Sequence, residues 1–365
     1  MKQKLVGIII LSIIIAAGLV IYVASSGTKK TIVVKGYVGG EKAGLLESED
    51  FKKILKDKFG VIIDYTKVGS IEMARETKTT NIDFLWPSNM IALEIFKESN
   101  KKLVKSENIF NSPIVLYSWD TVVGSEEPGK ETGLIKAGIV QKINGTYYIV
   151  DMPRLIQTIM EGKKWSDLNI NELYGKVNVM CTDPVKSNSG NIFAGLLANL
   201  LNNEDVVDES LIDKHMPNIL SFFKRLGYME SSSGDLFEQY LRTGVGAKPL
   251  IVGYENQMVE FATKYKDYWP NVKEKVRILY PVPTIWSSHP LIALTPAGTE
   301  LIKILSDEEI QQFAWEKHGF RTGLIGVQNN PKVLEVVGIP EKIEKVMQMP
   351  SAKVMDKIIK ALEGK

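Results

Sequence analysis

Along the first hundred residues, short apolar runs alternate with segments whose apolar positions recur at helical spacing. Residues 31–37, TIVVKGY, read as a strand that ends in the glycine loop Gly39-Gly40-Glu41. A helix is expected over 48–59, with Phe51, Ile54, Leu55 and Phe59 on one face. A second strand, 61–68, stops at Gly69-Ser70 and leads into a helix through 72–78. A third, 82–86, is broken by Pro87-Ser88-Asn89 and followed by a helix to Lys97. Three strand-loop-helix units in succession predict an α/β fold with a parallel sheet whose loops gather along one edge. In such sheets ligands bind beyond the carboxyl ends of the strands, where Gly39, Gly40, Ser70, Ser88 and Asn89 all fall.

Residues 113–123 form an uninterrupted β-rich run, and the Gly, Glu and Lys-rich stretch 124–145 after it marks a lobe boundary. A helix over 153–160 follows, and then the segment 176–201, KVNVMCTDPVKSNSGNIFAGLLANLL. Here Val177, Val179 and Cys181 alternate as in a half-buried strand, and from Asn191 the apolar residues take helical spacing. Between them Asp183-Pro184 breaks the strand. Ser187-Asn188-Ser189-Gly190 then supplies two hydroxyls able to cap a helix and a glycine that admits a close approach to the backbone. The free N–H groups and dipole of such a helix start suit an anion or a polar ligand head; the plainer reading is an ordinary cap.

An amphipathic helical region covers 208–226. A second serine loop, Ser231-Ser232-Ser233-Gly234, opens a helix to Leu241, but Asp235 matches a capping box and would repel an anion, so a cap is favoured there. Strands are expected over 249–253, 276–283 and 291–294, the last after the loop Ser287-Ser288-His289-Pro290. Tyr254-Glu255-Asn256 stands at the end of the first, before a helix over 256–265. Helices over 298–305 and 308–318 and a charged helical tail over 340–362 complete the chain. One strand entering the second unit and one leaving it describe two lobes with two hinge crossings, able to close on a ligand. The first lobe comprises 29–120 and 280–365, with the C-terminal helices packed on it, and the second comprises 121–279.

Composition narrows the function. The 365 residues exceed one ordinary core, and 44% apolar with 24% charged is globular. Forty-five basic against 43 acidic residues leave a formal charge of +2 without a basic run, which argues against nucleic acid as a partner. The single cysteine, Cys181, excludes an intramolecular disulfide, a cysteine metal cluster and an N-terminal lipoprotein cysteine. Residues 5–24 carry no charge, and Met1 to Lys4 before them is basic. About 20 apolar residues can span a bilayer, whereas Val23-Ala24-Ser25 is an acceptable cleavage site, so residues 1–28 are a membrane anchor or a signal peptide. Either places the rest of the chain outside the cytoplasm.

Four segments, TDPVKSNSGNIFAGLLANLL, PLIVGYENQMVEF, YPVPTIWSSHPLIAL and AWEKHGFRTG, together resemble the extracellular solute-binding proteins of the type 2 periplasmic-binding superfamily. The nearest likeness is to the branch serving ABC importers for sulfate, molybdate, phosphate and ferric ion, over roughly residues 31–324. The resemblance implies a monomer with a small polar or anionic ligand in the cleft between two lobes, an importer permease as partner, and no cofactor. It maps the ligand contacts onto Gly39, Gly40 and Ser70, onto Ser88 and Asn89, onto Ser187, Ser189 and Gly190, and onto Tyr254. Glu41 and Glu255 depart from an oxyanion site, since their carboxylates would line the cleft and disfavour a dianion. Amino acids, metals and small polar organics then stay open.

Two other classes compete. An exported hydrolase lacks its signals: there is no Gly-x-Ser-x-Gly or His-Glu-x-x-His, and Ser99 to Lys102 is an isolated Ser-x-x-Lys match. His215, His289 and His318 lie far apart and each has a plainer structural role. No catalytic residue and no metal ligand is assigned. A membrane-anchored sensor or surface assembly module with the same bilobal fold is the alternative to transport.

Overall fold

The computed structural model describes residues 31–75, 78–99 and 102–365. The anchor or signal expected over 1–28 lies outside them. Among the described residues, no helix is long and apolar enough to cross a membrane.

The three N-terminal units form as their pattern predicts. Strand β1 (Ile32–Val38) pairs in parallel with β2 (Val61–Lys67) and β3 (Phe84–Trp86). Between and after them lie α1 (Ala43–Glu47), α2 (Glu49–Ile54), α3 (Ser70–Arg75) and α4 (Met90–Glu98). Asn89 caps α4, its side-chain oxygen accepting from the Ala92 N–H at 2.8 Å. Apolar side chains at every second strand position and on the inner helix faces make the core, with Val34, Val38, Phe51, Phe84 and Trp86 almost wholly buried.

Strand β4 (Lys105–Trp119) carries the chain from the first sheet into the second. Its first part, to Pro113, pairs with β9 (Thr284–Ala293), and from Ile114 it pairs with β7 (Leu250–Tyr254) and β8 (Val276–Val282). Beyond β8 lie β6 (Tyr147–Asp151) and β5 (Val140–Ile143). Helices α5 (Met152–Met160), α6 (Asn188–Leu201), α7 (Ile212–Leu226), α8 (Ser233–Thr243) and α9 (Glu255–Lys264) pack around this second sheet. After β9, α10 (Pro296–Leu305) and α11 (Glu308–His318) return to the first sheet, burying Leu301, Leu305, Ile310 and Ala314 beside Phe84 and Phe110. The short strands β10 (Arg321–Thr322) and β11 (Val346–Met347) and helix α12 (Ala352–Leu362) complete the chain. The fold is α/β and two-lobed; the three N-terminal strands are parallel as expected, and antiparallel β9 beside β3 makes the whole sheet mixed.

Four local expectations need correction. Residues 176–181 alternate in burial as predicted, but they touch β7 through a single parallel bridge, Met180 to Ile251, rather than a ladder. Ser287 to Pro290 belong to β9 rather than to a loop. Pro290 has no N–H to give, and the register with β4 shifts opposite it, between Asn108 and Phe110. The charged tail is helical only over α12. That helix does not pack mainly on the first sheet: Val354, Met355 and Ile358 join the core cluster of Phe193, Leu197 and Phe222 on α6 and α7. The cause is α6, whose residues from Ser189 to Leu200 are all buried, so its outer face needs an apolar cover.

Candidate functional site

A cavity of about 400 Å³ lies where the strand ends of the first sheet face the helix starts of the second. The first sheet contributes Gly39, Gly40 and Glu41 after β1, Lys67 to Gly69 after β2, and Ser70 opening α3. Opposite stand Ser187 and Asn188 at the start of α6, Ser231 to Gly234 at the start of α8, and Tyr254, Asn256 and Gln257 at the start of α9. Glu260, one turn further along α9, completes the wall.

Of the residues expected at the site, Gly39, Gly40, Ser70, Ser187 and Tyr254 line this cavity. Ser88, Asn89, Ser189 and Gly190 do not. Ser88 is fully buried behind Gly39, where a Cβ on Gly39 would sit 2.2 Å from the Ser88 Oγ, so the glycine is there for room. Asn89 is the cap of α4 and also contacts Asn188. Ser189 turns inward to the Thr182 hydroxyl at 2.7 Å, and Gly190 is packed so closely on Thr182 that a Cβ would meet its carbonyl oxygen at 2.2 Å. The helix begins at Asn188, three residues before the apolar period starts, and that offset decides which of the four residues faces the cavity.

Glu255 does not line the cleft. It is wholly buried, its carboxylate accepting from Arg321 Nε at 2.7 Å and Nη2 at 2.9 Å and from the Tyr280 hydroxyl at 2.7 Å. Glu41 does line it.

Sequence reasoning missed residues of consequence, Asn188, Lys42 and Glu260 among them. Asn188 reaches across the cavity floor: its Nδ2 donates to the Ser88 carbonyl oxygen at 2.9 Å and to the Tyr254 hydroxyl at 2.9 Å. Lys42 is fully buried beneath Gly39. Its ammonium donates to Ser88 Oγ at 2.7 Å and to the Pro87 carbonyl oxygen at 3.4 Å, and lies 3.1 Å from His289 Nδ1. Ser88 passes the interaction on, donating its hydroxyl to Glu41 Oε2 at 2.6 Å. A lysine next to a glycine-rich turn reads as surface, because only the fold brings Pro87, Ser88 and His289 over it.

Burial pulls the Lys42 pKa down to about 8, with the Glu41 charge opposing. Burial, then the Lys42 charge, holds His289 well below its usual range, so its ring is neutral. Burial, reinforced by Glu41, holds the Tyr254 hydroxyl well above its usual value, so it stays protonated. The serine loop 231–234 forms the expected cap and also lines the cavity. Ser232 caps α8, accepting from the N–H groups of Gly234 at 3.2 Å and Asp235 at 3.4 Å. Among the described residues, no group of three or more His, Cys, Asp or Glu is placed to hold a metal ion.

No family model and no curated protein sequence matches the chain. Solved structures do. The ferric binding protein from Campylobacter jejuni superposes with a TM-score of 0.58 at 9% identity, covering 91% of this chain and 98% of that one. Iron-bound HitA from Pseudomonas aeruginosa gives 0.57 at 12% identity, covering 91% and 99%. The apo ferric ion-binding protein A from Pasteurella haemolytica gives 0.55 at 13%, covering 91% and 97%. At these identities the likeness concerns the fold. The chain shares the two-lobed α/β fold of these three proteins.

Proposed function

We propose that the protein is an extracytoplasmic solute-binding receptor that captures a small polar ligand, anionic in at least one group, between its lobes for an ABC-type importer. One observation carries the reading. Three helices of ten or more residues, α6, α8 and α9, present their first residues to a single 400 Å³ cavity, a volume suited to a small molecule. The start of α6, whose Ser187 makes no side-chain cap bond, offers unpaired N–H donors, the first donors of α8 being taken by Ser232, and each start carries roughly +0.5 of an elementary charge. Gly39, Gly40, Ser70, Ser187 and Tyr254, with Asn188 and the loop 231–234, are the proposed contacts. Lobe limits near residues 120 and 280, and a tether or processed signal over 1–28, complete this reading, with the receptor acting as a monomer.

Ferric ion, named for the similar structures, is not carried over. The cavity brings two carboxylates, Glu41 and Glu260, and one tyrosine, Tyr254, whose hydroxyl burial holds protonated, a set short of the several anionic or imidazole ligands iron takes. The same fold, with a TM-score of 0.53 at 12% identity, occurs in a protein described as a two-component system protein mediating signal transduction, which keeps sensing as the second reading.

Native mass spectrometry of protein purified without denaturation tests the proposal. A receptor shows a small mass in excess of the polypeptide, lost on unfolding. Its bound solute at about 100 times the dissociation constant raises stability by roughly 2.7 kcal/mol, visible as a higher melting temperature. No excess mass, together with no melting shift on adding a small-molecule extract of growth medium, rejects solute binding.

A further inference from the structure

We propose that the ligand is a small zwitterion, with its anionic group at the starts of α6, α8 and α9 and a primary ammonium held by Glu41 and Glu260. This inference rests on the binding reading above and narrows its chemical class.

The charges facing the cavity are not all matched by charged partners of the protein's own. Lys67 and Lys186 stand at the rim but are engaged with acids that do not line it, Glu47 at 3.0 Å and Asp183 at 3.7 Å. Lys42 lies beneath the wall and is matched through Ser88 by Glu41. Glu260 is left over. It has no lysine or arginine partner among the described residues; its ionisable neighbour within 4 Å is His318, whose Nδ1 lies 3.4 Å away. His318 is more than nine-tenths buried, and that nitrogen makes no hydrogen bond.

Gly44 on α1 makes room for this carboxylate: a Cβ there would fall 1.4 Å from Glu260 Oε1. The cavity thus presents the carboxylate of Glu260, and the free oxygen of Glu41, against three helix starts. A dianion would satisfy the helix starts but meet two carboxylates. A simple cation would satisfy the carboxylates but meet the helix dipoles. A molecule carrying both charges satisfies both sets of groups, and like-charge repulsion rejects the other two.

Chemistry on the released solute tests this whatever that solute proves to be. The full chain is purified without denaturation, unfolded, and its small-molecule fraction treated with dansyl chloride, which tags primary amines. The expected result is a solute that gains the tag and still migrates as an anion once the amine is blocked. In parallel, L-serine or aminomethylphosphonate raises the melting temperature of the stripped and refolded protein more than sulfate or phosphate does. Glu260→Gln is expected to weaken binding of the released solute about ten- to a hundredfold, the usual effect of losing a charged hydrogen-bond partner, with an unchanged melting temperature for the empty protein. Glu41→Gln serves as the second variant.

A released solute that takes no tag, or a larger shift with sulfate or phosphate, overturns the zwitterion and leaves solute binding standing. No released solute and no shift with any of these probes rejects solute binding, and this inference with it.

Discussion

Asn188, the first residue of α6, donates its side-chain N–H to the carbonyl oxygen of Ser88 at 2.9 Å, joining the helix start of one lobe to the loop after β3 in the other. The same amide reaches Tyr254. The two halves of the cavity are thus held by a side chain that would itself be released on opening.

Asn188→Ala is accordingly expected to favour the open form. The radius of gyration from small-angle X-ray scattering should rise in the empty protein. The melting temperature should fall by an amount equivalent to about 1–3 kcal/mol, since two part-buried hydrogen bonds lose their donor. An unchanged radius in the variant would show that the lobes are held by other contacts.

The second buried network, Glu255 with Arg321, is a fastener of a different kind. Arg321 also donates to the carbonyl oxygens of Pro340 and Glu341, so it ties the segment before β11 to α9. Arg321→Met leaves Glu255 charged and buried with the Tyr280 hydroxyl as its remaining partner, and the expected loss is roughly 3–5 kcal/mol of unfolding free energy. The double variant Arg321→Met, Glu255→Gln should recover part of it. Equal losses in single and double variants would mean the pair is not coupled.

Lys42 gives a pH signature with a definite sign. Its pKa falls from 10.5 in the unfolded chain to about 8 in the fold, so between those values the unfolded state binds the extra proton and stability rises with pH. The rise amounts to at most roughly 1.4 kcal/mol per pH unit. Below pH 8 the cost of the buried charge is present in full. The buried hydroxyls of Tyr117, Tyr240, Tyr254 and Tyr280, all held well above their usual value by burial, lower stability above about pH 10, where the unfolded chain loses protons that the fold keeps. Comparing wild type with Lys42→Met by urea unfolding between pH 7.5 and about 10 cancels the tyrosines. The wild type should gain on the variant as pH rises, and a constant difference would show that Lys42 holds its proton in the fold as firmly as in the unfolded chain.

These particulars show how far the sequence speaks. The three N-terminal units were legible because each strand, glycine or serine turn and amphipathic helix is a local pattern. Pro290 misled because a strand tolerates it only where its partner shifts register, and that shift belongs to β4, a segment far away along the chain. At the site, loop ends and helix starts could be placed, so five of nine expected residues line the cavity. The other four failed on helix phase or on burial behind a glycine. Lys42, Asn188 and Glu260 were not legible: their importance lies in what the other lobe, or the next strand, sets beside them.

The most direct test of the account is a crystal structure of the protein purified without denaturation, read at the cavity between Glu41 and Asn188. The account predicts density for a small molecule in contact with the helix starts at Ser187–Asn188, Ser232–Gly234 and Asn256–Gln257, with the lobes closed on it. A cavity filled by water alone, in crystals of protein that carries a bound small-molecule mass, would place the ligand elsewhere and contradict it.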